Sequence, residues 1–287
     1  MNPDFLEILP APSYLAPCVR RFLYANRTID APVPMNPKPS GYVYFSNFFS
    51  SNPVSFSFEI EKMGKVVPGR WNMAGQIEDD KIQGWAADEI RVLFCELSPT
   101  AIYRLYHQNS EPLTGVAGEM RDLLPGSETA LRESFTLDET AACHEHVNEA
   151  ISYFTQLLAN ARDGDAAVEY AVEQFEMANG AIKVETICRE LDISQRQFIR
   201  RFKRIVGVSP KFFGQVLQIN WALGLLYFGN VDTLGDVAQE AGFFDQAHFI
   251  HAMQRFFNES PNAFLKSDYV DLKTFLATSR FKDQATA

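Results

Sequence analysis

Between Ser194 and Lys211 the chain places six cationic side chains, Arg196, Arg200, Arg201, Lys203, Arg204 and Lys211, and no acidic one. Guanidinium forks suit the edge of guanine and ammonium groups suit phosphate oxygens, so the chemistry on offer is recognition of a duplex. On a helix Phe198, Phe202 and Ile205 fall at i, i+4 and i+7 and must face a core, which turns Arg196, Arg200 and Lys203 outward. Arg196 and Arg200 are then the base-reading candidates, and Lys203, Arg204 and Lys211 the phosphate-contacting ones.

Other reactive side chains form no comparable set. Cys143, His144, Glu145 and His146 sit together in CHEHVNE. Helical residues two apart point roughly 200° apart, so the two imidazoles cannot share an ion and the segment reads as a solvated helix face. His248 and His251 have only Asp245 near enough to complete a metal set, and they read as facing DNA. Cys18, Cys95, Cys143 and Cys188 show no zinc-ligand spacing and are expected to be reduced and semi-buried. No G-x-S-x-G, P-loop or G-x-G-x-x-G occurs, and no carboxylate pair can be placed in one cleft. No catalytic residue, metal or cofactor is therefore assigned.

Outward-facing arginines need a scaffold that fixes the opposite face. In VETICRELDISQRQFIRRFKRIVGVSP a short helix carrying Ile187, Cys188 and Leu191 leads through Asp192-Ile193 and a capping Ser194 to a second helix. About fifty residues on, LGDVAQEAGFFDQAHFIHAMQRFFNESP repeats the plan, with Leu234, Val237, Ala238 and Ala241 before Gly242, Phe243 and another helix. These are the parts of a helix-turn-helix: small residues at the helix crossing (Cys188, Ala238), a turn that tolerates positive φ (Gly242), and a half-buried second helix. Between the units, Ser209-Pro210 starts a helix running to about Phe228, roughly 30 Å at ~1.5 Å per residue. Successive major-groove faces lie ~34 Å apart, so one chain can set two recognition helices on one side of a duplex.

The blocks ISQRQFIRRFKRIVGVSPKFF and VAQEAGFFDQAHFIHAMQRFFNESPNAF resemble the two signature blocks of AraC-type regulators, over about residues 166–266. The resemblance implies that both second helices read bases, through Arg196 and Arg200 in the first and Gln246, His248 and His251 in the second. The candidate contact set is Ser194, Gln195, Arg196, Gln197, Arg200, Arg201, Lys203, Arg204, Lys211, Asp245, Gln246, His248, His251 and Arg255, and the implied partner is double-stranded DNA. The chain also departs from the family pattern. His251 and Gln254 stand where Arg and Lys are frequent, Asn258 where glycine is, and Trp221 at a commonly basic position. Apart from Arg255 the second recognition helix has almost no positive charge, so the first unit is expected to dominate affinity.

A net charge of −10 opposes phosphate binding only if it is evenly spread. Residues 1–164 carry 13 Lys and Arg against 21 Asp and Glu, whereas 181–267 carry 10 against 8, so the acid sits in the front half. With 287 residues, 46% of them apolar, the chain can bury more than one core. An α+β protein is expected: a sensing and dimerisation domain over 1–162 (a β unit over 1–97, helices over 98–162), a DNA-binding domain over 165–267, and a tail over 268–287. Eight prolines before residue 40 keep helices there short. Strands are expected at Tyr42–Phe49, along the alternating Val54–Glu61, around Trp71 and at Ile90–Leu97, with a turn over Lys62–Lys65. Ser98-Pro99 reads as the start of a helix through Ile102, Leu105 and Tyr106, and the rest of the front half as helical. Leu113–Leu124 and Asp138–Ala161 fit amphipathic helices, the latter a candidate homodimer surface.

PSGYVYF, Gly75-Gln76 and LFCELSPTAIYRLY resemble the cupin-like sensor domain of one branch of the same family. That implies a small-molecule effector, with Tyr44, Arg70, Trp71, Asn72 and Gln76 as candidate lining residues. The aromatics of the β unit are otherwise read as core. The first histidine is His107, after the β unit, so a metal-dependent cupin reaction is not expected. The N-terminus lacks the pattern of a secretory signal, and the longest apolar run, Trp221 to Gly229, is far short of the ~20 residues that span a bilayer. A cytoplasmic protein without a membrane partner is expected. Together these features predict a sequence-specific, effector-responsive transcription regulator with no enzymatic activity. The rival reading, drawn from the overall charge and the poor second helix, is an interaction or ligand-binding protein that kept the fold and lost DNA binding.

Overall fold

The computed structural model describes residues 4–34, 38–49, 56–60, 66–67, 69–78, 82–124, 142–228, 231 and 233–266. They form an α+β chain of two compact units. One unit holds the described residues up to 34, those from 42 to 165, and 203–207; the other holds 38–41, 166–202 and 208–266.

The first unit is built on an antiparallel sheet of seven strands: β1 (Asp4–Pro10), β2 (Val19–Pro34), β3 (Val43–Phe49), β4 (Phe56–Ile60), β5 (Trp71–Ala74), β6 (Ile82–Leu97) and β7 (Ala117–Glu119). The order across it is β1-β2-β6-β3-β5-β7, with β4 also paired to β6. β6 organises the sheet because it is long enough to serve two partners on one edge. β3 pairs with its second half (Val43 opposite Leu97, Phe49 opposite Arg91) and β4 with its first (Phe56 opposite Ala86, Ile60 opposite Ile82). β2 lines its other edge. The strand expected at Ile90–Leu97 is thus the end of one that begins at Ile82. Prolines mask β1 and β2 in the sequence: Pro10 ends an edge strand, and Pro32 falls in the register shift between Ile29 and Val33, where a missing N–H costs no ladder bond.

Phe22 and Phe45 both stand opposite Cys95 and so share one face of the sheet. Helix α3 (Cys143–Ala159) covers that face. Its Phe154 ring lies 6.5 Å from Phe22 and 6.0 Å from Phe45, and Val147, Ala150 and Tyr153 are buried beside it. The apolar stripe of α3 is therefore spent inside its own unit, and His144, Glu145, Asn148, Ser152 and Gln156 form its exposed side. His146 corrects the solvated-face expectation: it is 2% exposed, with its ring stacked 6.1 Å from Tyr24. His144 stays exposed, as the divergence of residues two apart requires.

The stretch Leu113–Leu124 is not one helix. Glu111–Leu113 is a 3-10 turn, β7 pairs with β5, and only Met120–Leu123 (α2) is helical. Gly115, at φ 69, turns the chain so that its N–H donates to the Gln76 carbonyl and the run joins the sheet instead. The preceding helix, α1 (Ala101–Tyr106), starts later than Ser98-Pro99 suggests, because Ser98 accepts from the N–H of Ala101 in a turn of its own. Residues 125–141, 54–55, 61–65 and the tail 268–287 lie outside the described residues. None of the four cysteines forms a disulfide, with Cys18, Cys95 and Cys188 buried and Cys143 half-buried. Among the described residues no helix is long and apolar enough to cross a membrane.

The second unit contains the helices α4 (Ala166–Met177), α5 (Val184–Glu190), α6 (Gln195–Val206), α7 (Pro210–Phe228), α8 (Leu234–Glu240), α9 (Gln246–Phe257) and α10 (Pro261–Lys266), with the last turn of α6 counted in the first unit. The long α7 joins two small cores. Its Phe213 meets Phe175 at 5.7 Å and Phe202 at 5.6 Å, while Val216, Ile219, Leu223 and Leu225 pack with α8, α9 and α10.

On the sheet face opposite α3, register builds a charged cluster. Arg21 and Tyr44 both stand opposite Glu96, and a bulge between Val19 and Arg21 leaves Arg20 as an extra residue beside them. Arg20 Nη1 donates to Glu96 Oε1 at 2.8 Å, and Arg21 Nη2 and Tyr44 Oη donate to Oε2 at 2.9 Å each. Burial by itself would push the Glu96 carboxyl up, but the two arginines and the Tyr44 hydroxyl outweigh it and hold it below the ordinary carboxylate range. Removing one partner leaves buried charge uncompensated, so Glu96→Gln is expected to cost about 3–5 kcal/mol of unfolding free energy at pH 7, measured in urea. Because the folded value is depressed, the Glu96 contribution is complete above about pH 4.5 and is lost as pH falls through the folded value, so the gap between wild type and variant must narrow on acidification.

Candidate nucleic-acid interface

Each helix-turn-helix is closed by its own backbone. The N–H of Ile193 donates to Cys188 O at 3.1 Å, and that of Phe243 to Ala238 O at 2.8 Å. Cys188 and Ala238 are 5% and 0% exposed, which lets the paired helices approach closely. Both turns need a left-handed residue at the same place, Asp192 at φ 51 in the first and Gly242 at φ 75 in the second. Both second helices are then capped by a side chain. Ser194 Oγ accepts from Gln197 N at 3.3 Å, and Asp245 Oδ1 from His248 N at 2.7 Å. Two of the candidate contact residues, Ser194 and Asp245, therefore first serve to start their helices.

The recognition helices match position by position. In α6, Phe198, Phe202, Ile205 and Val206 are buried; in α9, Phe249, Met253, Phe256 and Phe257 are. A buried stripe of that spacing fixes which residues face out. For α6 these are Arg196, Arg200, Lys203 and Arg204, all exposed, with Gln195 and Gln197 exposed at the first turn and Arg201 half-buried. The matching residues of α9 are Ala247, His251, Gln254 and Arg255, with Gln246 and His248 at the first turn. Lys211 is exposed on the first turn of α7.

Not every cation is equally at liberty. Lys203 Nζ lies 2.7 Å from Glu111 Oε1, and this pairing raises its ammonium above the ordinary value. Arg204 sits 5.7 Å from the centre of the Tyr103 ring. In α9, Arg255 donates to Gln215 at 3.3 Å, and Gln254 to Asn258 at 3.0 Å. Asn258 has φ 54, the left-handed cap for which the family pattern prefers glycine. The His248 ring meets the Phe243 ring at 5.3 Å, and its Nδ1 accepts from Phe244 N at 3.4 Å, so this imidazole braces the turn.

The five effector-lining candidates have different local surroundings. Tyr44 is bound to Glu96, Arg70 is exposed, and Trp71 belongs to the core. Asn72 is spent on a turn, accepting from Val67 N and donating to the carbonyls of Val67 and Arg70. Gln76 is buried, and its carbonyl accepts from Gly115. The polar cluster that sequence reasoning missed is Arg20, Arg21 and Glu96. Its only signal is a glutamate inside the apolar run IRVLFCEL and a pair of adjacent arginines. Among the described residues no group of three or more His, Cys, Asp and Glu is placed to hold a metal.

The segment thus holds two helix-turn-helix units, each with a core-locked second helix and an open outer face. Residues 187–267 match the family described as a helix-turn-helix domain. A stretch of 82 residues is 32% identical to the HTH-type transcriptional activator RhaR of Pectobacterium atrosepticum, covering 29% of this chain. The chain spans only 28% of the length of that curated relative. Among solved structures, a probable AraC family transcriptional regulator from Rhodopseudomonas palustris is 30% identical over 36% of this chain and 96% of that one, with a TM-score of 0.32. ToxT from Vibrio cholerae is 12% identical over 85% of this chain and 97% of that one, with a TM-score of 0.45.

The second turn depends on its glycine in two ways. A side chain at φ 75 costs ~1–2 kcal/mol, and a Cβ at Gly242 would meet Ala181 Cβ at 3.0 Å. Gly242→Ala is expected to lower unfolding free energy by about that amount, read from the urea midpoint. An unchanged midpoint would show that the turn does not need the left-handed residue.

Proposed function

We propose that the protein is a sequence-specific DNA-binding transcription regulator, with residues 165–267 engaging duplex DNA and residues 1–162 setting the response to a small-molecule effector. The observation that carries the reading is the outer face of α6. Arg196, Arg200, Lys203 and Arg204 are exposed there, and the stretch from Ser194 to Lys211 contains no acidic residue. In this reading Arg196 and Arg200 enter the major groove, where a bidentate contact to guanine discriminates by ~1–3 kcal/mol. Lys203, Arg204 and Lys211 meet phosphates, and Gln195, Gln197 and Arg201 frame the contact. The second helix adds Gln246, His251 and Arg255, with less charge to draw phosphate.

The acidic balance of the front half, 13 cations against 21 anions over residues 1–164, belongs with a domain that does not itself touch DNA. Two recognition helices in one chain read two groove segments without a second subunit. Homodimerisation through α3 would use its polar outer side, since its apolar stripe is buried.

The test is a set of gel shifts of the purified full chain against genomic fragments, including DNA upstream of its own gene. Binding should fall as salt rises, with each phosphate-contacting cation adding about 0.9 to the slope of log affinity on log salt. Lys211→Ala should reduce that slope by roughly one and leave sequence preference alone. Arg200→Ala should weaken specific binding by ~1–3 kcal/mol and relax preference at one base pair. Failure to shift any duplex at low salt sinks the proposal and leaves the rival, a ligand-binding protein that kept the fold.

A further inference from the structure

The two turns differ by one residue. From the crossing residue to the helix cap the first turn runs from Cys188 to Ser194, and the second from Ala238 to Asp245. Ile193 and Phe243 are equivalent, since each returns its N–H to the crossing residue's carbonyl, so the added residue is Phe244. Its neighbour Phe243 is 7% exposed, whereas Phe244 is 92% exposed and is the most exposed large apolar side chain among the described residues. A single exposed apolar side chain is ordinary on a protein surface, and what singles this one out is its place as the added residue of the turn leading into α9.

The position is also held. The N–H of Phe244 donates to His248 Nδ1 at 3.4 Å, Asp245 caps the helix that follows, and the His248 ring rests edge-on against Phe243. The ring is therefore presented just before the first turn of α9, next to the outer face that carries Ala247 and His251. That face has lost what makes α6 a guanine reader, because Ala247, His251 and Gln254 stand where Arg196, Arg200 and Lys203 stand in the first unit. It offers a base edge the apolar Ala247 and the amide of Gln254 instead, with Arg255 as its one arginine. The C5-methyl of thymine is the apolar group on the major-groove edge of a base pair, and contact with such side chains is how it is read.

We propose that Phe244 is a specificity-determining residue that packs on a thymine methyl in the groove segment facing α9, giving the second unit a preference for A·T pairs that the first unit lacks. This rests on the DNA-binding reading above. It makes the second unit a reader of a different chemistry, with little charge to contribute to affinity.

The test uses the full chain and a duplex selected for binding from a random pool, with each thymine of the second half-site replaced in turn by deoxyuridine, which removes only the methyl. Replacement at one position should weaken wild-type binding about fourfold, the worth of one buried methyl-sized group. Phe244→Ala should weaken binding to the parent duplex by at least that factor and lose the uracil penalty at that position alone, while Phe244→Leu restores part of it. Arg200→Ala should keep the penalty, because it acts in the other half-site. Phe244 is exposed, so its substitution leaves the core untouched. The proposal is overturned if Phe244→Ala keeps both the affinity and the uracil penalties of wild type, or if the selected half-site contains no thymine. It is equally overturned if the variant fails only when RNA polymerase is present, which would assign the ring to a protein partner. If no duplex is bound by the wild type, the DNA-binding reading fails first and this one with it.

Discussion

A recognition helix can offer a constant face to a groove only if its opposite face cannot rotate. In α6 that constraint is met by aromatic packing: Phe202 lies 5.6 Å from Phe198, 6.1 Å from Phe175 and 5.6 Å from Phe213. The three contacts come from α6 itself, α4 and α7, so the ring is fixed from separate directions. Each pair adds ~0.5–1.5 kcal/mol beyond burial, and the Phe175 contact, at 71°, is edge-to-face. The arginines need no structural partners of their own because this buried stripe already aims them.

The same plan used twice shows which parts a helix-turn-helix must keep and which it can exchange. The backbone bond to the crossing residue, the left-handed residue and the side-chain cap occur in both units, although Asp192 and Gly242, and Ser194 and Asp245, are different residues. These positions answer to backbone geometry, which does not vary with the sequence being read. On the outer faces Gln195, Ile199 and Arg204 recur as Gln246, Ile250 and Arg255, whereas Arg196, Arg200 and Lys203 are replaced by Ala247, His251 and Gln254. A pair of equal readers would have kept the cations in both. The buried positions also change, Phe202 to Met253, Ile205 to Phe256 and Val206 to Phe257, but all stay apolar, so cap and core keep their chemistry while the outer face loses cations; on the proposed reading that is a division of labour.

The helical half was legible because two independent periods coincide there. Apolar residues recur at helical spacing, and charge recurs out of phase with them, so Phe198 and Arg200 locate each other in the sequence. Glycine at position 242 marks a turn, and Ser209-Pro210 marks the start of α7. The front half was legible only where strands alternate or run apolar. β6 is buried on both sides near its end, so it has no period, and its first half carries Gly84, Asp88 and Glu89. Leu113–Leu124 has helical spacing, yet Gly115 and the free edge of β5 draw it into the sheet, which is tertiary competition invisible to local pattern. The bulge that brings Arg20 and Arg21 together on Glu96 is a matter of register, and register is not written in any one strand.

The pairing of Lys203 with Glu111 bears on how the first recognition helix is used. At 2.7 Å the contact is short, but the two side chains are 47% and 49% exposed. An ion pair in that much water is weak, screened by salt, and costs side-chain entropy to hold. A phosphate brings a full charge in a polyanion whose condensed counterions are released on contact, a gain that no isolated carboxylate supplies. On the proposed reading, the exposed pairing with Glu111 therefore does not withhold Lys203 from DNA. Exchange of Glu111 for phosphate would move one ammonium from a weak partner to a stronger one, with the buried Phe202 and Ile205 on either side of it fixing the helix.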